Sequence, residues 1–228
     1  MIKLLVGILV FVINTIYRDR PYPRFYVLET VARVPYFSYL SVLHLYETLG
    51  FWRKADWLKV HFAESWNELH HLLIMESLGG SQFWGDRILA RTTALLYYWI
   101  IVALYLVSPA SAYHFMELVE NHAYNSYQKF LTEHETELKL EPAPAVALSY
   151  YRDGDLYMFD EFQTSQFPET RRPKVDNLYD VFVAIRDDEM EHVKTMVACQ
   201  QTNSQLAFKS PHTLPTSEIK DSEVLSAH

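Results

Sequence analysis

The sequence predicts an all-α fold, and three observations carry that reading. Half of the 228 residues are hydrophobic and 15% are aromatic, yet only 6 are glycine. That balance favours long helices over a turn-rich β architecture. Turn residues punctuate the chain at wide intervals: Gly79 and Gly80 close one helical segment, Pro109 follows another, and Pro142 and Pro144 open a loop. Glutamate and histidine also stand three positions apart in two segments, the spacing that puts both on one helix face. The pattern amounts to about six helices without an internal repeat, in a chain long enough for one sizeable core rather than two.

Taken in order, the chain opens with Lys3 and an apolar run over residues 4–13. The run has the length and flanking charge of a signal peptide, but Asn14, Thr15, Ile16, Tyr17 and Arg18 follow it in place of a small-residue cleavage site. It reads as a retained apolar helix that touches the membrane, so residues 1–20 form a membrane-associated segment. An Arg-rich, Ser-rich transit segment is missing too, which points to a chain made where it works or to a mature one. A second apolar stretch, 88–107, is close to the ~20 residues a spanning helix needs. Arg91, Thr92 and Thr93 lie in its first turns, and Tyr97, Tyr98, Trp99 and Tyr105 give it the aromatic content of a membrane interface. The stripe from Tyr97 to Trp99 reads as lipid contact. Residues 21–202 form the main domain, and 203–228 turn polar and aperiodic, as a flexible tail does.

Charge and cysteine content exclude several functions. The net charge is -8 with scattered acidic residues, which disfavours a nucleic-acid partner. Cys199 is the single cysteine, so one chain has neither a disulfide framework nor a cysteine-ligated zinc or iron–sulfur site. A metal bound here must use histidine and carboxylate.

Those residues occur in the strings Glu68-Leu69-His70-His71 and Glu189-Met190-Glu191-His192, the two places where Glu-x-x-His appears. On a helix, each pair offers one ion a carboxylate oxygen and an imidazole nitrogen. Di-iron carboxylate bundles combine two such helices with one inward glutamate from each of two others. Glu29 is the first candidate, because the apolar face around it leaves a carboxylate in need of a partner. Glu120 is the second, with Glu117 on the same face competing for the role; spacing alone does not choose between them. Four carboxylates and two histidines balance two divalent ions, and oxygen and nitrogen donors suit iron or manganese. His70 points about 100° away from His71 and reads as an interior hydrogen-bonding residue. Glu64, Glu76 and Glu191 read as ordinary charges on helix faces.

Longer strings carry a resemblance. Leu28-Glu29-Thr30, the run from Asn67 to Glu76, Glu120-Asn121-His122-Ala123-Tyr124 and the run from Arg186 to His192 look like the alternative oxidase superfamily, over about residues 18–201. The stretch 154–164 resembles the insertion that marks plastid terminal oxidases against mitochondrial ones. The resemblance implies a ferritin-like four-helix di-iron bundle with additional membrane-interfacial helices. It assigns Glu29, Glu68, His71, Glu120, Glu189 and His192 to two iron ions and sets Glu117 aside. It further implies Tyr127 beside the irons as a participant in oxygen reduction, Asp188 as a carboxylate that orients a ligating histidine, and Arg24 and Leu28 in a quinol pocket. His44 and Tyr105 fall in family-like context without a definite role.

The implied activity is oxidation of two plastoquinols coupled to reduction of O2 to water; a di-iron hydroxylase of the quinone-biosynthesis type would share all six ligands. The resemblance also implies a homodimer held on lipid from one side, in a thylakoid or other photosynthetic membrane, facing cytoplasm or stroma. A topological argument agrees. If residues 88–107 crossed the bilayer, the helices bearing Glu68 and Glu120 would begin on opposite sides and could hardly share an ion pair. The segment is therefore expected to lie in one leaflet.

Overall fold

The computed structural model describes residues 13, 15–51, 55–153 and 172–201. Most of the first apolar run, the insertion at 154–164 and the tail at 203–228 lie outside the described residues. Seven α-helices occur among the described residues: α1 Pro21–Ala32, α2 Val34–Thr48, α3 Ala55–Ser77, α4 Trp84–Val107, α5 Pro109–Leu138, α6 Ala145–Leu148 and α7 Leu178–Gln200. The sequence reading gave about six, counting an apolar helix at the N-terminus that lies mostly outside the described residues; the four-residue α6 is too short to show a periodicity. A π-helical turn, Ser149–Asp153, continues α6. No strand forms among the described residues, where Pro142 and Asn177 make an isolated bridge, so the all-α expectation holds.

Local chemistry sets the helix ends. Pro21 and Pro109 occupy first helical positions, where a missing N–H costs nothing and a fixed φ favours the first turn. Ser108 caps α5 by accepting from Ser111 N at 3.3 Å, and Asn177 caps α7 by accepting from Asp180 N at 3.0 Å. After α3, Gly79 takes φ +85, and the Gly79 and Gly80 amides donate to Glu76 O and Met75 O. These bonds satisfy carbonyls that the helix end leaves open.

The bundle consists of α1, α3, α7 and α5. α1 packs on α3, α3 meets α7, α7 lies along α5 in the most extensive interface, and α5 returns to α1. The core runs down the middle and is heavily aromatic, with Phe25, Tyr127, Phe130 and Phe182 in mutual ring contact. Outside this ring, α2 packs on α3 and α4, and α4 also covers α1 and α5.

α4 is the one described helix long and apolar enough to cross a membrane, yet only 17% of its most apolar window is buried. It turns Ala90, Ile101 and Tyr105 inward and leaves Leu95, Leu96, Trp99 and Ile100 exposed. Its two ends are tied to the protein. Asp86 accepts from Tyr17 Oη at 3.0 Å and pairs with Arg20, while Tyr105 Oη meets Tyr113 Oη at 2.8 Å. The aromatic stripe needs a correction. Tyr97 packs on Phe115 at 6.0 Å, and Tyr98 stacks on Phe37 at 5.7 Å and donates to Ser41 Oγ, so Trp99 alone of the three points outward. Successive residues on a helix turn by about 100°, and three in a row cannot share one face.

Gly80 lets α1 approach the end of α3. A Cβ there would lie 2.7 Å from Tyr22 O, 2.8 Å from Met75 O and 2.8 Å from Tyr26 Cβ, and backbone atoms cannot swing aside. Gly80→Ala is expected to destabilise the protein by about 1–3 kcal/mol; an unchanged melting temperature in calorimetry would show that this contact is soft.

Candidate metal centre

The four bundle helices bring six buried side chains to one place. α1 supplies Glu29, α3 supplies Glu68 and His71, α5 supplies Glu120, and α7 supplies Glu189 and His192. They form two overlapping groups, Glu29 with Glu68, His71 and Glu189, and Glu120 with Glu68, Glu189 and His192; within each, one donor atom per residue lies within 4.8 Å of the others. Glu68 and Glu189 belong to both groups. Two adjacent ions sharing two carboxylates would use this arrangement, with Glu29 and Glu120 each serving one side.

Both imidazoles turn Nδ1 toward the carboxylates. His71 Nδ1 lies 3.4 Å from Glu189 Oε1 and 3.7 Å from Glu29 Oε2, and His192 Nδ1 lies 3.0 Å from Glu68 Oε1. Both Glu68 oxygens, both Glu189 oxygens, Glu29 Oε2, Glu120 Oε2 and His71 Nδ1 are buried without a hydrogen-bond partner. Buried polar atoms are ordinarily satisfied, and a cluster of acceptors aimed at one another is satisfied by cations. The donor set fits two divalent ions of the iron or manganese type.

Electrostatics points the same way. Burial raises the Glu68 carboxyl well above its ordinary value, and the neighbouring Glu189, Glu29 and Glu120 raise it further. Glu120 is raised by burial and by Glu189, and Glu189 by burial against the lowering effect of His71. Burial opposes charge on His71, but the hydrogen bond to Asp188 and the nearby carboxylates of Glu189, Glu29 and Glu68 outweigh it and lift that imidazole well above the usual histidine range. Without metal the cluster holds protons where ions would otherwise sit.

A second layer of side chains orients the first. Asp188 Oδ2 accepts from His71 Nε2 at 3.1 Å, from Asn67 Nδ2 at 2.9 Å and from Tyr151 Oη at 3.0 Å. The Nε2–H is thereby fixed and the His71 Nδ1 lone pair faces inward. The π-helical turn carries Tyr151 to that position. Tyr127, stacked on Phe25 with centroids 4.4 Å apart, donates to Glu29 Oε1. Tyr36, on α2, donates to Glu120 Oε1.

Glu64 departs from its expected role as a surface charge. It is fully buried, and its Oε2 lies 2.8 Å from His61 Nδ1. Burial pushes the Glu64 carboxyl up to about 8 and the His61 imidazole down to about 3. The pair is therefore neutral: the carboxyl donates to Nδ1, and His61 Nε2–H donates to Tyr113 Oη at 2.9 Å. From Tyr113 the chain of bonds continues to Tyr105, so Tyr105 belongs to a buried network. Glu76 is exposed and Glu191 pairs with Lys194, as ordinary helix charges do.

The remaining sequence-derived residues separate clearly. Arg24 and Leu28 lie one turn apart on α1; Arg24 Nη2 donates to Ser126 Oγ at 3.1 Å, its Nε is buried without a partner, and Leu28 packs against the core. Glu117 turns away from the cluster, within reach of His114 Nδ1 and accepting from Gln200 Nε2 at 2.9 Å. His70 bonds Trp66 O at 2.8 Å and stacks on Tyr150. His44 is exposed on α2. Tyr36, His61, Asn67, Ser126 and Tyr151 were not singled out from sequence. Of these, only Asn67 carried a local signal, as the neighbour of Glu68.

Comparison with known proteins gives a consistent picture. The alternative oxidase family profile matches residues 4–201. The chain is 63% identical over 203 residues to ubiquinol oxidase 4, chloroplastic/chromoplastic, of Arabidopsis thaliana, covering 89% of this chain and 57% of that protein. It is 31% identical over 167 residues to alternative oxidase 3, mitochondrial, of Glycine max, covering 73% and 45% respectively. It is 29% identical over 167 residues to ubiquinol oxidase, mitochondrial, of Mangifera indica, covering 73% and 46%. The chain thus spans about half the length of the curated relatives it matches.

Because the cluster holds protons that an ion must displace, apparent affinity for Fe(II) or Mn(II) is expected to rise as pH increases from about 5 to 8, with protons released on binding. Titration calorimetry in buffers of different ionisation enthalpy measures both. A pH-independent affinity without proton release would show that the carboxylates are already ionised.

Proposed function

The chain belongs to the alternative oxidase family, and from that premise we propose that it is a membrane-attached di-iron quinol oxidase that couples oxidation of two quinols to reduction of O2 to water. The observation that carries this reading is the pair of buried four-residue groups sharing Glu68 and Glu189. The two irons would be held by Glu29, Glu68, His71, Glu120, Glu189 and His192, and when bound they supply the redox steps that carry electrons from quinol to O2. The balance is simple: two quinols release four electrons and four protons, and one O2 takes up all eight to give two waters.

The protein's own part is binding, orientation and proton handling. Arg24 and Leu28 form the proposed quinol site: the unpartnered Arg24 Nε is a donor for a ring oxygen, and Leu28, next to Glu29, offers an apolar surface for the ring. Asp188 holds His71 in the ligating orientation. Tyr127 stays a neutral phenol because burial and Glu29 push its pKa well up. In supplying an electron to the reduction of O2 it would hand its proton to Glu29 Oε1 along the existing hydrogen bond, and quinol would restore both.

Plastoquinol is the proposed donor. The chloroplastic/chromoplastic relative and the insertion-like stretch 154–164 support that choice and a plastid-type photosynthetic membrane. The outward apolar face of α4 supports attachment from one side, with the bundle in the cytoplasm or stroma. The proposed assembly is a homodimer, and the proposed unit of function is residues 21–202, between an apolar segment at 1–20 and a polar tail at 203–228.

Oxygen uptake by purified, iron-loaded protein in detergent, driven by a short-chain plastoquinol, tests the proposal. Two quinones formed per O2, without hydrogen peroxide or hydroxylated quinol, is the expected result; hydroxylated product would favour a hydroxylase instead. Tyr127→Phe is expected to keep about two irons per chain and to lose oxygen uptake by roughly 100-fold, the scale of a positioned proton-transfer group. Full uptake by that variant would remove Tyr127 from the reaction.

A further inference from the structure

A cleft of about 510 Å³ opens between α1, α2, α3 and α4, lined by residues that include Arg33, Phe37, Leu72, Arg91, Leu95 and Tyr98. Its chemistry is unusual for a chain of net charge -8. Two arginines share a wall that is otherwise mostly apolar, and among the described residues neither has an acidic partner within ion-pair distance. Arg33 stacks its guanidinium over Phe37 at 5.7 Å, and its Nε is buried without a hydrogen-bond acceptor. Arg91 is exposed. Nearby arginines are engaged: Arg20 pairs with Asp86, and Arg87 Nη1 donates to Ser81 O. A buried donor without an acceptor is costly, and two guanidiniums lining one cleft repel each other unless an anion is bound there.

The setting narrows the anion. Leu95 belongs both to the cleft and to the outward apolar face of α4, with Leu96, Trp99 and Ile100 exposed beside it. A ligand here meets two cations and an apolar wall that runs on to that exposed face. A neutral quinol ring needs no second cation, and an inorganic anion makes no use of the apolar wall. We propose that this cleft binds the anionic headgroup of a membrane lipid, with a phosphate or sulfonate held between Arg33 and Arg91 and the acyl chains following α4 into the bilayer. The inference rests on the reading that α4 attaches to lipid. Its effect would be to fix the depth and rotation of α4, and so the height of the quinol site above the membrane.

Vesicle flotation of the full, iron-loaded chain provides the test, with phosphatidylcholine vesicles made with and without phosphatidylglycerol. Phosphatidylglycerol is expected to tighten binding by on the order of tenfold, as two well-placed cations allow. Arg33→Gln with Arg91→Gln should abolish that gain, and Arg91→Gln alone, at an exposed position, should remove much of it without disturbing folding. Arg87→Gln, one turn away but outside the cleft, should retain most of it. Oxygen uptake in detergent should be the same for all variants. An equal loss for Arg87→Gln would mean diffuse attraction rather than a site and would overturn the proposal. Equal wild-type binding to both vesicles would overturn it while leaving attachment intact, and binding to neither would remove attachment itself. A variant that keeps its lipid preference but needs more quinol for half-maximal rate would hand the cleft to the substrate.

Discussion

Four carboxylates and two imidazoles share one buried space at the centre of this bundle, and the surrounding structure follows from that. At an effective dielectric near 20, two like charges about 4 Å apart repel by roughly 4 kcal/mol, so four ionised glutamates cannot persist there alone. Either protons or cations must neutralise them. The rise in proton affinity at Glu68, Glu120 and Glu189 is the metal-free answer, and two divalent ions are the alternative that four negative charges and two neutral imidazoles balance. A bundle can host such a cluster because each helix contributes one or two groups from a rigid backbone, and none depends on a loop.

The supporting shell confers orientation without adding uncontrolled charge. Tyr36 and Tyr127 donate to the two glutamates that serve one side each, Glu120 and Glu29. Asp188, a further carboxylate beside the cluster, is met by three donors. Glu64 avoids charge altogether by keeping its proton against His61. The network from Glu64 through His61 and Tyr113 to Tyr105 is therefore neutral. It links α3, α5 and α4 through the interior, a role that apolar side chains could fill but could not orient.

What the sequence disclosed depended on the range of each interaction. Both Glu-x-x-His pairs were legible because helix geometry alone makes them converge. Glu29 was legible because its face is otherwise apolar. The choice between Glu117 and Glu120 was not, because residues three apart differ by only about 60° around a helix, and tertiary packing decides which enters the core. Glu64 is an instructive misreading. It stands four residues before Glu68, on the same face of α3, so the rule that found the ligands also placed Glu64 indoors; its treatment as a surface charge ignored the face. Tyr36 had no such signal, since its partner lies 84 residues away in sequence. Tyr151 depends on a π-helical turn that periodicity does not announce.

The placement of α4 bears on the proposed use of a lipid-soluble donor. At 1.5 Å per residue its 24 residues reach about 36 Å, enough to leave the protein behind, yet both ends are bound to it. Asp86 is held by Tyr17 and Arg20 at one end and Tyr105 by Tyr113 at the other, and the helix covers α1, α2 and α5 along the way. A helix pinned at both ends to the bundle runs alongside it rather than away from it. Its connections to α3 and α5 can then leave Glu68 and Glu120 on one side of any membrane that its apolar face meets. That requirement is the same one the shared carboxylates impose. The helix that would carry the protein to the lipid and the cluster that would use a lipid-borne donor are thus joined by one constraint, since an α4 that crossed a bilayer would separate the ends of α3 and α5 that the shared carboxylates bring together.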